Sequence, residues 1–195
     1  MTAHAFLPRE GWHWAAVPAV AQAAPLLLIP VLVPVLALRY GVEKGQMPGI
    51  FAAGGMAALA ASKMAALAIV KWGDKRVALW ATVLLCVSFG LLSWGRGHAE
   101  LFMVLFMAAT YVRLVCASSY SAGYPSDTQR GRFMTLQSAM LHLASCAALA
   151  VPSLVLGDPV LSGASLDKLL IVAASLAATL PLTMQREKKT TFSSP

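Results

Sequence analysis

Residues 48–94 read PGIFAAGGMAALAASKMAALAIVKWGDKRVALWATVLLCVSFGLLSW, two apolar runs divided by Lys71, Asp74, Lys75 and Arg76. Each run approaches the ~20 residues that a helix needs to cross a ~30 Å hydrocarbon core. A charged break between two such runs marks a chain that turns and returns through a bilayer, so this stretch decides the solvent in which the sequence folds. Residues 14–38, 101–121, 133–156 and 168–184 have the same character. Together with 48–70 and 77–94 they predict an all-α membrane protein with six transmembrane helices in a single domain spanning residues 1–195. Residues 1–13 then form an interfacial N-terminus, with Trp12, His13 and Trp14 at headgroup depth, and 185–195 form a polar, basic cytoplasmic tail.

The basic residues between the runs give the orientation. Arg9, Lys71, Lys75, Arg76, Arg130, Arg132, Arg186, Lys188 and Lys189 fall on one side, whereas Arg39, Lys44, Arg96 and Lys168 fall on the other. Nine against four predicts that both termini face the cytoplasm, and an even number of spans requires both ends on one side. A bacterial cytoplasmic membrane is the expected location. Mean hydropathy of +0.71 with 12% charged residues excludes a soluble domain. The net charge of +7 is divided among short connections and forms no single patch, which argues against nucleic acid and for anionic membrane lipid as the partner of these residues.

Cys86, Cys116 and Cys146 each fall in a different apolar run without CxxC or Cys/His spacing, so they read as small hydrophobes. No His, Asp or Glu cluster suits a metal, and His4, His13 and His98 lie outside the spans, which leaves no axial pair for haem. Phosphate-binding glycine loops, nucleophile elbows and HExxH are absent from the sequence. The expectation is a protein without cofactor or metal and without enzymatic activity.

Within the spans, four features stand out. Pro18, Pro25, Pro30 and Pro34 should kink the first helix, since each deletes a backbone donor. Gly54, Ala58, Ser62 and Ala66, four apart, predict a small-residue packing stripe on the second. Arg113 lies about ten residues, or ~15 Å, from the cytoplasmic end of its helix and shares a face with Thr110, Ala117 and Tyr120. A cation there must be offset by a water-filled cavity, an anionic substrate group or a partner's carboxylate, or else pair with helix-end carbonyls or reach an interfacial acid such as Asp127. Thr135, Ser138, His142 and Ser145 form a polar stripe on the fifth helix, His142 reading either as an interhelical hydrogen-bond partner or as a proton carrier. Lys63 on the second helix is close enough to the helix end to snorkel or to line a cavity. Every Asp and Glu sits in a connection or at a helix end, so this chain brings no carboxylate for a proton relay.

The connections also carry a family likeness. Arg130-Gly131-Arg132-Phe133-Met134-Thr135-Leu136-Gln137-Ser138 resembles the R-G-x-F-M-[ST]-L-x-S signature that opens the eleventh helix of major facilitator transporters similar to arabinose efflux permeases. Tyr40-Gly41-Val42-Glu43 and Ala53-Gly54-Gly55 resemble that family's turn after helix seven and its glycine pair in helix eight, and Arg113 matches its helix-ten arginine. Lys71, Gly73 and Lys75 keep the pattern of the loop after helix eight, while Ala66, Val70 and Cys116 depart from it in place of glycine, aspartate and proline.

The resemblance covers residues 25–184 and concerns the C-terminal six-helix half of the family. It implies half of a major facilitator fold, with spans one, two, four and five lining a cavity and three and six peripheral. The implied function is efflux-like transport of a small solute, anionic or polar, by a homodimer or with a second six-helix bundle. Arg113, His142, Thr110, Ser138, Tyr120 and Lys63 are the expected cavity residues. Lys71, Gly73, Lys75, Arg130, Gly131 and Arg132 are the expected cytoplasmic loop motifs. The competing expectation is a non-transporting membrane subunit or a truncated facilitator remnant.

Overall fold

The computed structural model describes residues 9–94, 99–126, 128–156 and 163–185. These form α1 (Arg9–Leu26), α2 (Ile29–Tyr40), α3 (Met47–Trp72), α4 (Asp74–Trp94), α5 (Ala99–Ala122), α6 (Arg130–Leu156) and α7 (Gly163–Gln185), with no strand among the described residues. Six spans are long and apolar enough to cross a membrane, α1 and α2 together supplying the first, Gly11–Leu38. The tail beyond Gln185 and the first eight residues lie outside the described residues.

The first span is two helices where the sequence predicted one kinked rod. Pro25 and Pro30 bracket the break at Leu27 and Leu28, and there the ladder tightens: the N–H of Leu28 donates to the Pro25 carbonyl and that of Val31 to the Leu28 carbonyl, both at 3.1 Å. Proline cannot supply the donor that an α-helix requires four residues on, so shorter bonds take over. Pro30 then sits in the first turn of α2, where no N–H is needed. Both connecting leucines are buried, which keeps this irregular backbone inside protein.

A second difference concerns the basic connection within residues 48–94. Instead of a loop, Gly73 alone separates α3 from α4. Its N–H donates to the Ile69 carbonyl at 2.8 Å, closing α3, and its carbonyl accepts from Val77, opening α4. With φ 81° and ψ 153° it occupies backbone space that only glycine enters readily. Lys71, Lys75 and Arg76 are therefore helix-end residues, and Arg130, Gly131 and Arg132 likewise form the first turn of α6.

The spans pack in two layers. α3, α5, α1 with α2, and α6 form a row, in which α3 packs on α5, α5 on α1, and α1 on α6. Behind this row, α4 packs on α5, α7 packs on α1, and α4 and α7 touch each other. Exchanging the first three spans for the last three reproduces this pattern: α5 takes the place of α1, α6 that of α3, and α7 that of α4. Successive spans run in opposite directions, so the two trios are inverted relative to one another.

Phe89, Phe102 and Phe106 anchor the core between α4 and α5, with ring centroids 5.6 Å apart for the α5 pair. The Tyr40 hydroxyl ties α2 to the Leu91 carbonyl of α4 at 3.1 Å, and Ser93 of α4 donates to Asp167 of α7 at 3.0 Å.

α3 approaches α5 closely. A Cβ added at Gly54 would lie 2.7 Å from Cγ of Met103, so glycine is required by proximity. The buried positions of α3 are Ile50, Gly54, Ala58 and Ala65, a correction to the predicted stripe: Ser62 is half-buried and Ala66 is exposed. At about 100° per residue, a strict four-residue spacing drifts by about 120° between Gly54 and Ala66, which carries the later members off the contact.

Candidate functional site

Polar side chains within the spans divide into two groups with different surroundings. The first is internal. Arg113 has no exposed surface, and its Nη2 donates to the Ala177 carbonyl of α7 at 3.0 Å. Pro181 lies four residues beyond Ala177 in the same helix and has no N–H to give that carbonyl. The arginine thus supplies the donor that the proline removes. Two turns further along α5, the Tyr120 hydroxyl donates to the Met184 carbonyl at 3.2 Å, in the last turn of α7, where carbonyls also lack helical partners. The two contacts share one offset along the chain, so α5 and α7 run parallel and are pinned at two levels.

Around Tyr120 the interface is aromatic and basic. Trp14 stacks on its ring at 4.6 Å, and Nζ of Lys75 lies 5.5 Å from the ring centroid. Thr110 is buried and donates to the Phe106 carbonyl of its own helix at 2.7 Å. The face predicted from Thr110, Arg113, Ala117 and Tyr120 does look inward, toward α4 and α7 in the second layer. Arg113 Nε and Nη1 are buried there without a partner among the described residues, as is Oδ1 of the half-buried Asp74.

The second group is uncovered. Within the apolar window of each span, 11% of α6 and 17% of α3 is buried, against 33–56% for the other four. These two helices stand at opposite ends of the row. Ser138 and His142 are exposed on α6, and neither has a partner among the described residues. Thr135 and Ser145 turn back onto their own helix, donating to the Gly131 and Leu141 carbonyls. Reading His142 as an interhelical hydrogen bond within this chain is therefore corrected. Lys63 is exposed on α3 beside Ser62, whose hydroxyl donates to the Ala58 carbonyl.

The expected site residues thus fall into two places: Arg113 and Tyr120 brace α5 against α7, with Thr110 buried on the same face, whereas His142, Ser138 and Lys63 occupy the uncovered flanks. All three cysteines are free, and the described residues contain no group of side chains able to hold a metal ion.

Two surface clefts were not anticipated. One of ≈ 390 Å³ lies between the α2–α3 turn and the start of α5, bounded by Val42, Gln46, Gly49, Ile50, Ala99 and Glu100. The other, ≈ 500 Å³, lies at the α3–α4 joint, bounded by Trp72, Arg76 and Trp80. The second had a signal in the sequence, since the three residues recur every four positions across the joint. No family model, curated protein or solved structure matches the chain.

Proposed function

We propose that this chain is one six-helix half of a major facilitator-type carrier of a bacterial cytoplasmic membrane, with both termini cytoplasmic. It moves a small anionic or polar solute outward by rocking against a second six-helix bundle, either a second copy or a separately encoded half. The observation that carries this reading is the exposure of Ser138 and His142 on α6 and Lys63 on α3, the two least covered spans. Polar and ionisable groups on a span are costly against hydrocarbon, by ~2.5–3.5 kcal/mol for a central lysine, and are retained where water or protein faces them. A second bundle closing over the row of four supplies both.

Two further observations support the same reading. The signature resembling that of the family occupies the first turns of α6. The inverted trios match the nested three-plus-three repeats from which halves of these carriers are built. In this reading Arg113 and Tyr120 act as braces, holding α7 against α5 while the row moves as a unit. His142, Ser138 and Lys63 contact solute or the water around it. Lys63 makes this half of the pathway electropositive.

Reconstitution of the purified chain into vesicles tests the proposal, with uptake of a panel of organic anions and neutral sugars as the readout. Flux is expected from preparations that native mass spectrometry shows to be paired. His142→Ala should reduce it without lowering the unfolding temperature. Paired protein that moves none of the panel contradicts the homodimeric carrier. The same result after co-expression with a separately encoded six-helix half contradicts the carrier altogether and favours a non-transporting membrane subunit, a reading that Val70 in place of the family's loop aspartate also fits.

A further inference from the structure

The cleft at the α3–α4 joint is a feature that neither the fold nor the proposed carrier requires. Trp72 and Trp80 flank it, 54% and 70% exposed, with the exposed Arg76 between them. Gly73 makes this arrangement: its left-handed φ ends α3 and begins α4 within one residue, so the last side chain of α3 stands beside the first outward turns of α4.

Charge is sorted across the joint. Asp74 is half-buried, and Lys75 turns its Nζ to the ring of Tyr120 on α5. Lys71 lies over the Trp72 ring at 5.7 Å, which adds a second cation to the rim of the cleft. The guanidinium of Arg76 has no ion-pair partner among the described residues. An indole on each side of an unpaired guanidinium suits a phosphodiester with an apolar tail, because indoles settle where headgroups meet hydrocarbon and arginine grips phosphate oxygens.

Below the cleft, α4 continues the fit. Arg76, Trp80, Val83 and Val87 are spaced four, three and four, so they form one stripe, and all are exposed. From Arg76 to Val87 the helix rises about 16 Å at ~1.5 Å per residue, roughly half the ~30 Å hydrocarbon core, which is the depth of one leaflet. α4 belongs to the second layer, away from the uncovered flanks of α3 and α6. A second bundle closing over the row leaves this stripe in lipid.

We propose that Trp72, Arg76 and Trp80 bind one anionic phospholipid of the leaflet that meets the basic helix ends. Its phosphate lies on Arg76, its glycerol region lies between the two indoles, and an acyl chain runs along Val83 and Val87. The site stands independently of transport, because it needs only that α4 spans the bilayer.

Native mass spectrometry of the full chain, released from detergent micelles containing phosphatidylglycerol, phosphatidylcholine or inorganic phosphate, tests this. The expected result is one retained phosphatidylglycerol per chain, held in preference to phosphatidylcholine and not displaced by inorganic phosphate. Arg76→Gln should reduce retention about five-fold, the share of one interfacial cation. Trp80→Leu should reduce it less, and Arg130→Gln should leave it near the original level. Equal retention by Arg76→Gln and the unaltered chain overturns the proposal. So does displacement by free phosphate, equal retention of the two lipids, or a co-purifying polypeptide in place of the lipid that Arg76→Gln releases.

Discussion

Arg113 of α5 and His142 of α6 are both polar residues on spans of apolar sequence, and they meet opposite surroundings. Arg113 is enclosed and donates to a carbonyl that a proline in the neighbouring helix has left without its own donor. His142 stands exposed on the least covered span of the bundle. Residue type and depth therefore do not assign a role to a membrane polar group. The neighbouring helix does: where it offers an orphaned carbonyl, the polar group becomes a brace, and where nothing covers it, the group is available to solute, water or a partner.

The largest effect is expected at Arg113. Arg113→Ala opens a cavity and orphans the Ala177 carbonyl, and should cost about 3–5 kcal/mol of stability in thermal unfolding of the detergent-solubilised chain. Pro181→Ala restores a backbone donor to that carbonyl. Combined with it, Arg113→Ala should cost about 1–2 kcal/mol less. If the two changes add without coupling, the brace does not work through Ala177.

A smaller effect is expected at the α3–α5 contact. Gly54→Val should destabilise by about 1–3 kcal/mol, since even a Cβ meets Met103, and the same assay reads it. At the joint, Gly73→Ala should cost about 1–2 kcal/mol through its positive φ alone. His142→Ala should shift stability by no more than about 0.5 kcal/mol, because nothing in the described fold leans on that ring. A large loss there would move His142 to the braced group and erase the contrast.

Much of the architecture was legible beforehand. The run at 77–94 became Asp74–Trp94 and that at 101–121 became Ala99–Ala122, each lengthened because helices continue past the apolar stretch into the interface. Hydropathy sees the solvent and misses such ends. The prolines of the first span were visible, whereas the break at Leu27 and Leu28 was not, since four prolines compete and packing decides which one separates the helices. The link between Arg113 and Pro181 joins residues far apart in sequence, and periodicity within one helix cannot show it. The cleft at Trp72, Arg76 and Trp80 was hidden because Trp72 and Arg76 read as a connection and Trp80 as part of the next span, so nothing in the sequence reading joined the three.

The most direct test of the central claim is cysteine labelling in a chain whose three native cysteines are replaced by alanine, with single cysteines introduced in turn by Ser138→Cys, His142→Cys and Val87→Cys. A membrane-impermeant maleimide should react at 138 and 142 in sealed vesicles, where the polar flank meets water, and should leave 87 in lipid untouched. Protection of 138 and 142 from maleimide, with labelling instead by a photoreactive acyl chain, would place the flank of α6 in hydrocarbon and contradict the account.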